Sequence, residues 1–343
     1  MPWRLLALGE RRRVRLLAVC GGAMALGLPI AGALAFRPPT GGGSAEQAPA
    51  AEAPSPRAPQ SPAAAPAKQR PSPAPAFPAP PRGAVVFSRQ LGGTALALAA
   101  APRPRGVLLQ ASVIGALGTY PRHLRVSFAL QGRSRTARPC GPGCFRAVLP
   151  VRGRPATVGV VLRGGPDTRW RVALPRPWPA PDASGIVDSA ASAWRSLTSL
   201  SYRETLASDA RHVVASRWRV QAPDRVAYEV VGGWSAVIVG SRRWDRPPSG
   251  AWKESPQLAV TQPVPIWRGV EDAHVLGTTR VGGRLAWRVT FFDPQSSAWF
   301  ELALDRTTLR TLDLRMVTTS HFMHDVFGSF DAARPITPPG SSE

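Results

Sequence analysis

The chain has 343 residues and a net charge of +22, from 43 Lys and Arg against 21 Asp and Glu, and its length accommodates two ordinary domains of roughly 100 to 150 residues. Only Lys68 and Lys253 are lysines, and the heavy use of Ala, Pro and Gly makes arginine number a matter of coding bias. Placement says more: 10 basic and 3 acidic residues in 1–82, 15 and 1 in 83–180, and 18 and 17 in 181–343. No Gly-rich phosphate loop, nucleophile elbow, zincin motif or paired-cysteine zinc spacing occurs, which argues against an enzyme and implies no cofactor.

Residues 1–15 form a basic segment expected in the cytoplasm. Residues 16–36, "LLAVCGGAMALGLPIAGALAF", are uncharged and mostly apolar, long enough as a helix to span a hydrocarbon core of roughly 30 Å. They follow Arg4, Arg11, Arg12, Arg13 and Arg15, so the run reads as a transmembrane signal-anchor with its N-terminus cytoplasmic and everything after Arg37 exported. Ala33-Leu34-Ala35 keeps a cleaved signal peptide as the competing reading, which would make the protein secreted. Cys20 follows Val19 rather than a small residue, unlike a lipoprotein attachment site. Residues 37–82 are Pro, Ala, Ser and Gly with scarcely a large apolar side chain, and they are expected to form a disordered, semi-stiff linker.

From Gly83 to about residue 176 the chain alternates short apolar runs with Gly, Pro and Arg clusters: "AVVFSRQ", "TALALAAAP", "GVLLQASVI", "LRVSFALQG", "CFRAVLPV", "ATVGVVLRG" and "TRWRVALP". Seven short strands without helical periodicity between them predict an immunoglobulin-like antiparallel β-sandwich over 83–176. Its strong positive balance suits an anionic surface such as a membrane. Export removes nucleic acid as a partner.

"ALALAAAPRPRGVLLQ", "PCGPGCFRAVLPV" and "TRWRVALP" in that order, with Gly143-Cys144-Phe145 and Trp170 in the characteristic places, resemble the small exported sandwich of YtkA-like domains and copper-resistance membrane proteins. The resemblance covers about 90 residues and implies a fold more than an activity.

Cys140 and Cys144 flank Gly141-Pro142-Gly143, residues suited to a tight turn before an apolar strand. In an exported domain they are expected to form a disulfide. A Cys-x-x-x-Cys copper or redox site is the alternative; it needs a helix N-terminus or a neighbouring His to depress a thiol pKa, and the nearest histidine in sequence is His123.

A second unit is expected over 182–331. Ile186, Val187, Ala190, Ala193, Trp194, Leu197 and Leu200 recur at helical spacing, predicting one amphipathic helix over 182–200 with Asp182 or Ser184 as N-cap. Eleven alternating segments follow, from "SYRETLAS" to "HFMHDVFGSF", and predict one large curved antiparallel sheet. The fold class is therefore mainly β (α+β). Residues 332–343 are expected to be a disordered tail.

"WRSLTSLSYRETLAS", "RWRVQAPDRVAYEVV", "VIVGSRRWDRP" and "AWRVTFFDPQSSAWFELALDRTTLRTLDLRM" resemble the half-barrel of lipoprotein-carrier (LolA-like) proteins and mycobacterial lipoproteins of LppX and LprG type. The resemblance covers about 145 residues and implies a concave apolar cavity for acyl chains or other hydrophobes. Eight of the eleven tryptophans lie here, and Trp194, Trp218, Trp287 and Trp299 are the candidate cavity residues, with core filling as the alternative role. One helix about 10 Å across cannot cover the inside of some ten strands. Either the loop around 247–270 folds in as a lid or an apolar molecule fills the remainder.

In "MVTTSHFMHDVFGSF", a hairpin turning at Thr319-Ser320 would pair Met316 with Met323 and put His321 on their face, a ligand set suited to Cu(I), although Met on a strand is more often core. The resulting expectation is a single-pass membrane protein whose folded part is extracytoplasmic and binds or presents a lipid, another hydrophobic molecule or an envelope partner. An accessory role in copper handling and a ligand-free envelope adaptor are the alternatives.

Overall fold

The computed structural model describes residues 78–340 apart from 92–93, 116–118, 121–122, 165–167, 208–211 and 319–320. The expected cytoplasmic segment, signal-anchor and most of the linker lie outside these residues. Among the described residues, no helix is long and apolar enough to cross a membrane.

The first nine strands are β1 (Val85–Leu91), β2 (Thr94–Arg103), β3 (Gly106–Ile114), β4 (Arg125–Leu130), β5 (Arg133–Thr136), β6 (Arg138–Gly141), β7 (Cys144–Pro150), β8 (Thr157–Arg163) and β9 (Thr168–Ala173). They form two antiparallel sheets, ordered β1-β2-β3-β7-β6 and β5-β4-β8-β9. Leu96, Leu98 and Leu109 from the first sheet meet Phe128, Leu130, Val158, Val160 and Trp170 from the second in one core. The seven expected strands are all present. β5 and β6 are additional, and carry almost wholly exposed residues with no apolar run to announce them.

The alternation in β2 serves two cores. Leu96, Leu98 and Ala100 point into the sandwich, whereas Ala95, Ala97, Ala99 and Ala101 point the other way and are also buried. What buries them is the second part of the chain: Ala207, Phe292, Trp299, Val317 and Phe322 pack on that alanine face together with Ala84 and Val86. Small side chains let two sheets approach closely. The Thr290 hydroxyl adds a polar tie, lying 2.6 Å from the Val86 carbonyl and 2.9 Å from that of Phe300, and the Gly83 amide donates to Asp272 at 2.8 Å.

The second part opens with α1 (Ser184–Arg195). It is shorter than the expected 182–200: Ala183 is the N-cap, Asp182 bonds Ser184 from one residue further out, and Leu200 belongs to the following strand. The buried stripe Val187, Ala190, Ala191 and Trp194 is nevertheless continued into the same core by Leu197 and Leu200.

Eleven strands follow: β10 (Ser199–Ala207), β11 (Val213–Gln221), β12 (Arg225–Val230), β13 (Ser235–Val239), β14 (Arg242–Arg246), β15 (Lys253–Pro256), β16 (Glu271–Val281), β17 (Arg284–Asp293), β18 (Ala298–Asp305), β19 (Thr311–Val317) and β20 (Phe322–Gly328). Their order is β15-β14-β13-β12-β11-β10-β20-β19-β18-β17-β16, all antiparallel. Two meanders thus run outward and back, joined at the centre by β10 and β20. The link between them, residues 257–270, leaves one edge strand and enters the other. Ten strand spacings of about 4.8 Å make a flat sheet about 48 Å wide, close to the limit of fourteen extended residues. Curling of the sheet shortens that path and leaves slack for the link to dip inward. Trp267 is buried in the inner core by doing so.

Residues 332–340 depart from the expected tail. Ile336 is 1% exposed and packs on Ala227, Val237 and Trp244 of the outer face. Its carbonyl accepts from Arg225 at 2.8 Å and its amide donates to Gln221 at 3.0 Å. One apolar residue with two backbone anchors docks a segment whose Pro and Ser content alone suggests disorder.

Candidate functional site

Period-two alternation divides each strand of the large sheet between an inner face, shared with α1 and residues 257–270, and an outer face that meets the sandwich. Around Phe291, Phe300 and Phe327 the inner face is filled by protein. The Trp194 indole N–H donates to the Thr311 hydroxyl at 2.8 Å, and its ring stands edge-on to Phe327 (5.2 Å, 84°) and Trp267 (6.4 Å, 87°). Trp267 reaches Phe291 at 5.8 Å and Phe300 at 6.4 Å. The link therefore acts as the lid that the sequence allows.

Three rungs cross the inner face of the central strands. The first runs Phe327, Tyr202, Trp218, Tyr228 across β20, β10, β11 and β12. Tyr202 stacks on Trp218 (5.7 Å, 2°) and Trp218 on Tyr228 (4.5 Å, 29°), a continuous aromatic ladder whose far end is tied by an Arg243 to Tyr228 hydroxyl bond of 2.9 Å. The second runs Leu314, Asp325, Glu204, Ser216, Val230. The third runs Phe300, Met316, Met323, Leu206, Val214.

The second rung sets two carboxyl groups side by side. Glu204 is 9% exposed and accepts from the Ser216 hydroxyl at 3.1 Å, which itself accepts from the Trp218 indole at 2.8 Å. Burial pushes the Glu204 carboxyl up to about 6, partly offset by hydrogen bonds from the Ser216 and Trp218 side. Asp325 is 0% exposed, and neither of its carboxyl oxygens has a hydrogen-bond partner. Burial first, then the charges of Glu204 and Asp313, hold it well above the usual carboxylate range. Tyr202 is raised for the same reasons: burial, then Asp325 and Glu204.

The residues singled out from sequence fall in several places. Trp194 and Trp218 lie on the inner face. Trp287 belongs to the same face near its β16 edge, with the Arg306 guanidinium 4.3 Å from its ring centre. Trp299 lies on the outer face in the seam with the sandwich, 5.3 Å from Phe292. Met316 and Met323 are directly paired in register, and His321 shares their alternation, its amide bonding the Thr318 hydroxyl at 3.1 Å. His324 is on the other face, 2.7 Å from Asp313. Among the described residues no group of three His, Cys, Asp or Glu side chains is arranged to hold a metal ion.

Cys140 and Cys144 form a disulfide across the turn between β6 and β7, with Cα atoms 5.0 Å apart. Gly143 at φ +59° is required there, since a Cβ would lie 2.5 Å from the Val113 carbonyl and 2.4 Å from the Tyr120 ring. The Gly143 carbonyl accepts from the Val113 amide at 2.8 Å, fastening the clasp to β3.

Surface clefts among the described residues include one of about 440 Å³ lined by Arg284, Leu285, Asp305, Arg306 and Thr307, and one of about 380 Å³ lined by Phe87, Leu174, Leu276 and Arg288 among others. Neither includes a residue of the three rungs. Sequence reasoning missed Glu204 and Asp325. Their signal is an acid at an inward position of an alternating strand: Tyr202, Glu204, Leu206 in one and Met323, Asp325, Phe327 in the other.

No family model matches the chain, and no curated protein does. Among solved structures, the chain is similar to the lipoprotein LppX of Mycobacterium tuberculosis, at 13% identity and a TM-score of 0.35, over 45% of this chain and 97% of that one. It is similar to LprF of Mycobacterium bovis, at 10% identity and a TM-score of 0.35, over 47% and 99%. A LolA superfamily protein of Nitrosomonas europaea matches at 9% identity and a TM-score of 0.22, over 46% and 96%. At such low scores the sheet, the helix and the link carry the reading of this protein, not these likenesses.

Proposed function

We propose that this is a membrane-anchored, extracytoplasmic binding protein that holds an apolar or amphipathic molecule on the inner face of its large sheet. The observation that carries the reading is the uneven covering of that face. α1 and Trp267 fill it around Phe291, Phe300 and Phe327, while Tyr202, Tyr228, Met316 and Met323 are only half-buried. Large aromatic and thioether side chains in that state suit an apolar guest. Val213 (50% exposed), Val231 (56%) and Trp234 (52%) are exposed at the end of the sheet where β10 finishes and β20 begins, Val213 standing opposite Ala207 on the outer face.

Anchoring rests on the apolar run 16–36 behind its arginines, and export is consistent with the Cys140–Cys144 disulfide. The sandwich, with 15 basic residues and one acidic over 83–180, is then suited to anionic head groups at the membrane surface. Native mass spectrometry of the full chain released from its membrane tests the reading: a co-purifying lipid or other hydrophobe supports it, and stoichiometric copper or a chain that neither carries nor takes up any amphiphile overturns it.

A further inference from the structure

From the pairing of Asp325 and Glu204 across β20 and β10, with both Asp325 oxygens buried and unpartnered beside a rung of Met316, Met323 and Leu206, we infer that the inner face selects an aliphatic amphiphile with a protonated amine head. The inference rests on the proposed inner-face binding and names the chemistry of the guest.

Buried polar atoms without partners are scarce in folded proteins, and each one asks what satisfies it. Asp325 leaves two such atoms on one side chain that is 0% exposed. The residue opposite it in register is another carboxylic acid, and directly opposed strand residues hold their Cβ atoms about 5 Å apart. Both groups are perturbed by burial and, for Asp325, by acidic neighbours; no basic side chain acts on either. In a chain with 43 Lys and Arg this omission is informative. Arg243, at the far end of the aromatic ladder, is occupied by Tyr228 and by both oxygens of Asp245 at 2.8 Å.

A neutral hydrogen-bond donor could satisfy Asp325 alone. A protonated primary amine carries three donors and a positive charge, so it could bond both Asp325 and Glu204 and offset the cost of a buried negative charge. The adjacent rungs fix the rest of the molecule. On one side lies the Tyr202, Trp218, Tyr228 ladder; on the other, Met316, Met323, Leu206 and Val214 lead to the end of the sheet where β10 finishes and β20 begins. An alkyl tail would leave the carboxyl pair along the Met rung. Methionine's unbranched, adaptable side chain is suited to yielding there.

The test compares dodecylamine with dodecanol on the full-length protein, both below their aggregation limits, read by quenching of tryptophan fluorescence. The amine is expected to bind the wild type at least about tenfold more tightly, a difference of the size a charge-assisted bond to a buried carboxylate provides. Asp325→Asn and Glu204→Gln should each reduce that preference while leaving dodecanol affinity within about threefold of wild type. Equal binding of the two compounds by the wild type overturns the inference while leaving inner-face binding intact, and so does an undiminished amine preference in Glu204→Gln. Failure of either compound to bind overturns both. The wild-type comparison and Glu204→Gln decide the matter even if Asp325→Asn does not fold.

Discussion

Trp194 and Thr311 are 117 residues apart in sequence, yet the indole N–H of the first donates to the hydroxyl of the second at 2.8 Å, both side chains being buried. This bond pins the last turn of α1 to the start of β19. Trp194→Ala should therefore lower stability by roughly 3 to 5 kcal/mol, as for other large aromatic core truncations. Trp194→Phe keeps most of the packing but strands the hydroxyl, and should cost about 1 kcal/mol. Urea unfolding followed by far-ultraviolet circular dichroism checks both; an unchanged midpoint in Trp194→Ala would mean that the helix does not seal the sheet.

The sandwich and the large sheet are expected to unfold as one body. Their seam contains the alanine face of β2 and Phe292, Trp299 and Phe322 opposite it. Ala97 is 1% exposed, and Ala97→Leu should force the sheets apart at a cost of roughly 1 to 3 kcal/mol. Calorimetry should show a single transition in the wild type and two in this variant. Two transitions in the wild type would show the seam to be weak.

The disulfide closes a short loop, so its contribution should be modest, about 2 kcal/mol on the chain-entropy estimate for five residues. Non-reducing peptide mapping should recover Cys140 joined to Cys144, and Cys140→Ser with Cys144→Ser should lower the melting temperature without abolishing the fold. Free thiols on both residues in protein taken from its native compartment would contradict the assignment.

Glu204 gives stability a definite pH dependence. Its folded pKa is about 6 against an ordinary value of 4.5, so the folded state retains a proton that the unfolded chain has released between those values. The resulting stabilisation is complete below about 4.5 and lost as pH rises through about 6, a change of about 2 kcal/mol by linkage. Asp325 shifts in the same direction and extends the loss upward. Asp305 and Asp331, whose carboxyls are lowered, act oppositely at acid pH. The clean readout is thus a difference: Glu204→Gln should gain stability relative to wild type between pH 4 and pH 8. A difference independent of pH would mean that Glu204 titrates normally.

Much of this architecture is legible in the sequence because alternation and burial coincide. Leu285, Trp287, Val289 and Phe291 announce one face of β17, and eleven such segments give the eleven strands of the sheet. The helix is legible for its stripe but not its end, because Leu197 and Leu200 satisfy helical spacing while lying in a turn and a strand. Harder to read is anything that depends on which face meets what. Trp299 has the same composition signal as Trp218, yet opposite parity in the register sends one to the seam and the other inward. The alternation of leucine and alanine in β2 looks like an ordinary sandwich strand until a second sheet covers the alanines. Strand order is likewise hidden: that residues 257–270 join opposite edges follows only once β10 is seen to pair with β20. Glu204 and Asp325 are far apart in sequence, and only that pairing makes them neighbours.

Photolabelling of the full-length protein with a long-chain alcohol carrying a diazirine in its tail tests the central claim most directly, because it reports where an apolar guest lies. Saturable labelling on peptides containing Leu206, Val214, Met316 and Met323, competed by unlabelled alcohol, is the expected result. Labelling confined to the surface clefts around Leu285 or Phe87, or labelling that never saturates, would contradict binding beside the carboxyl pair and the Met rung.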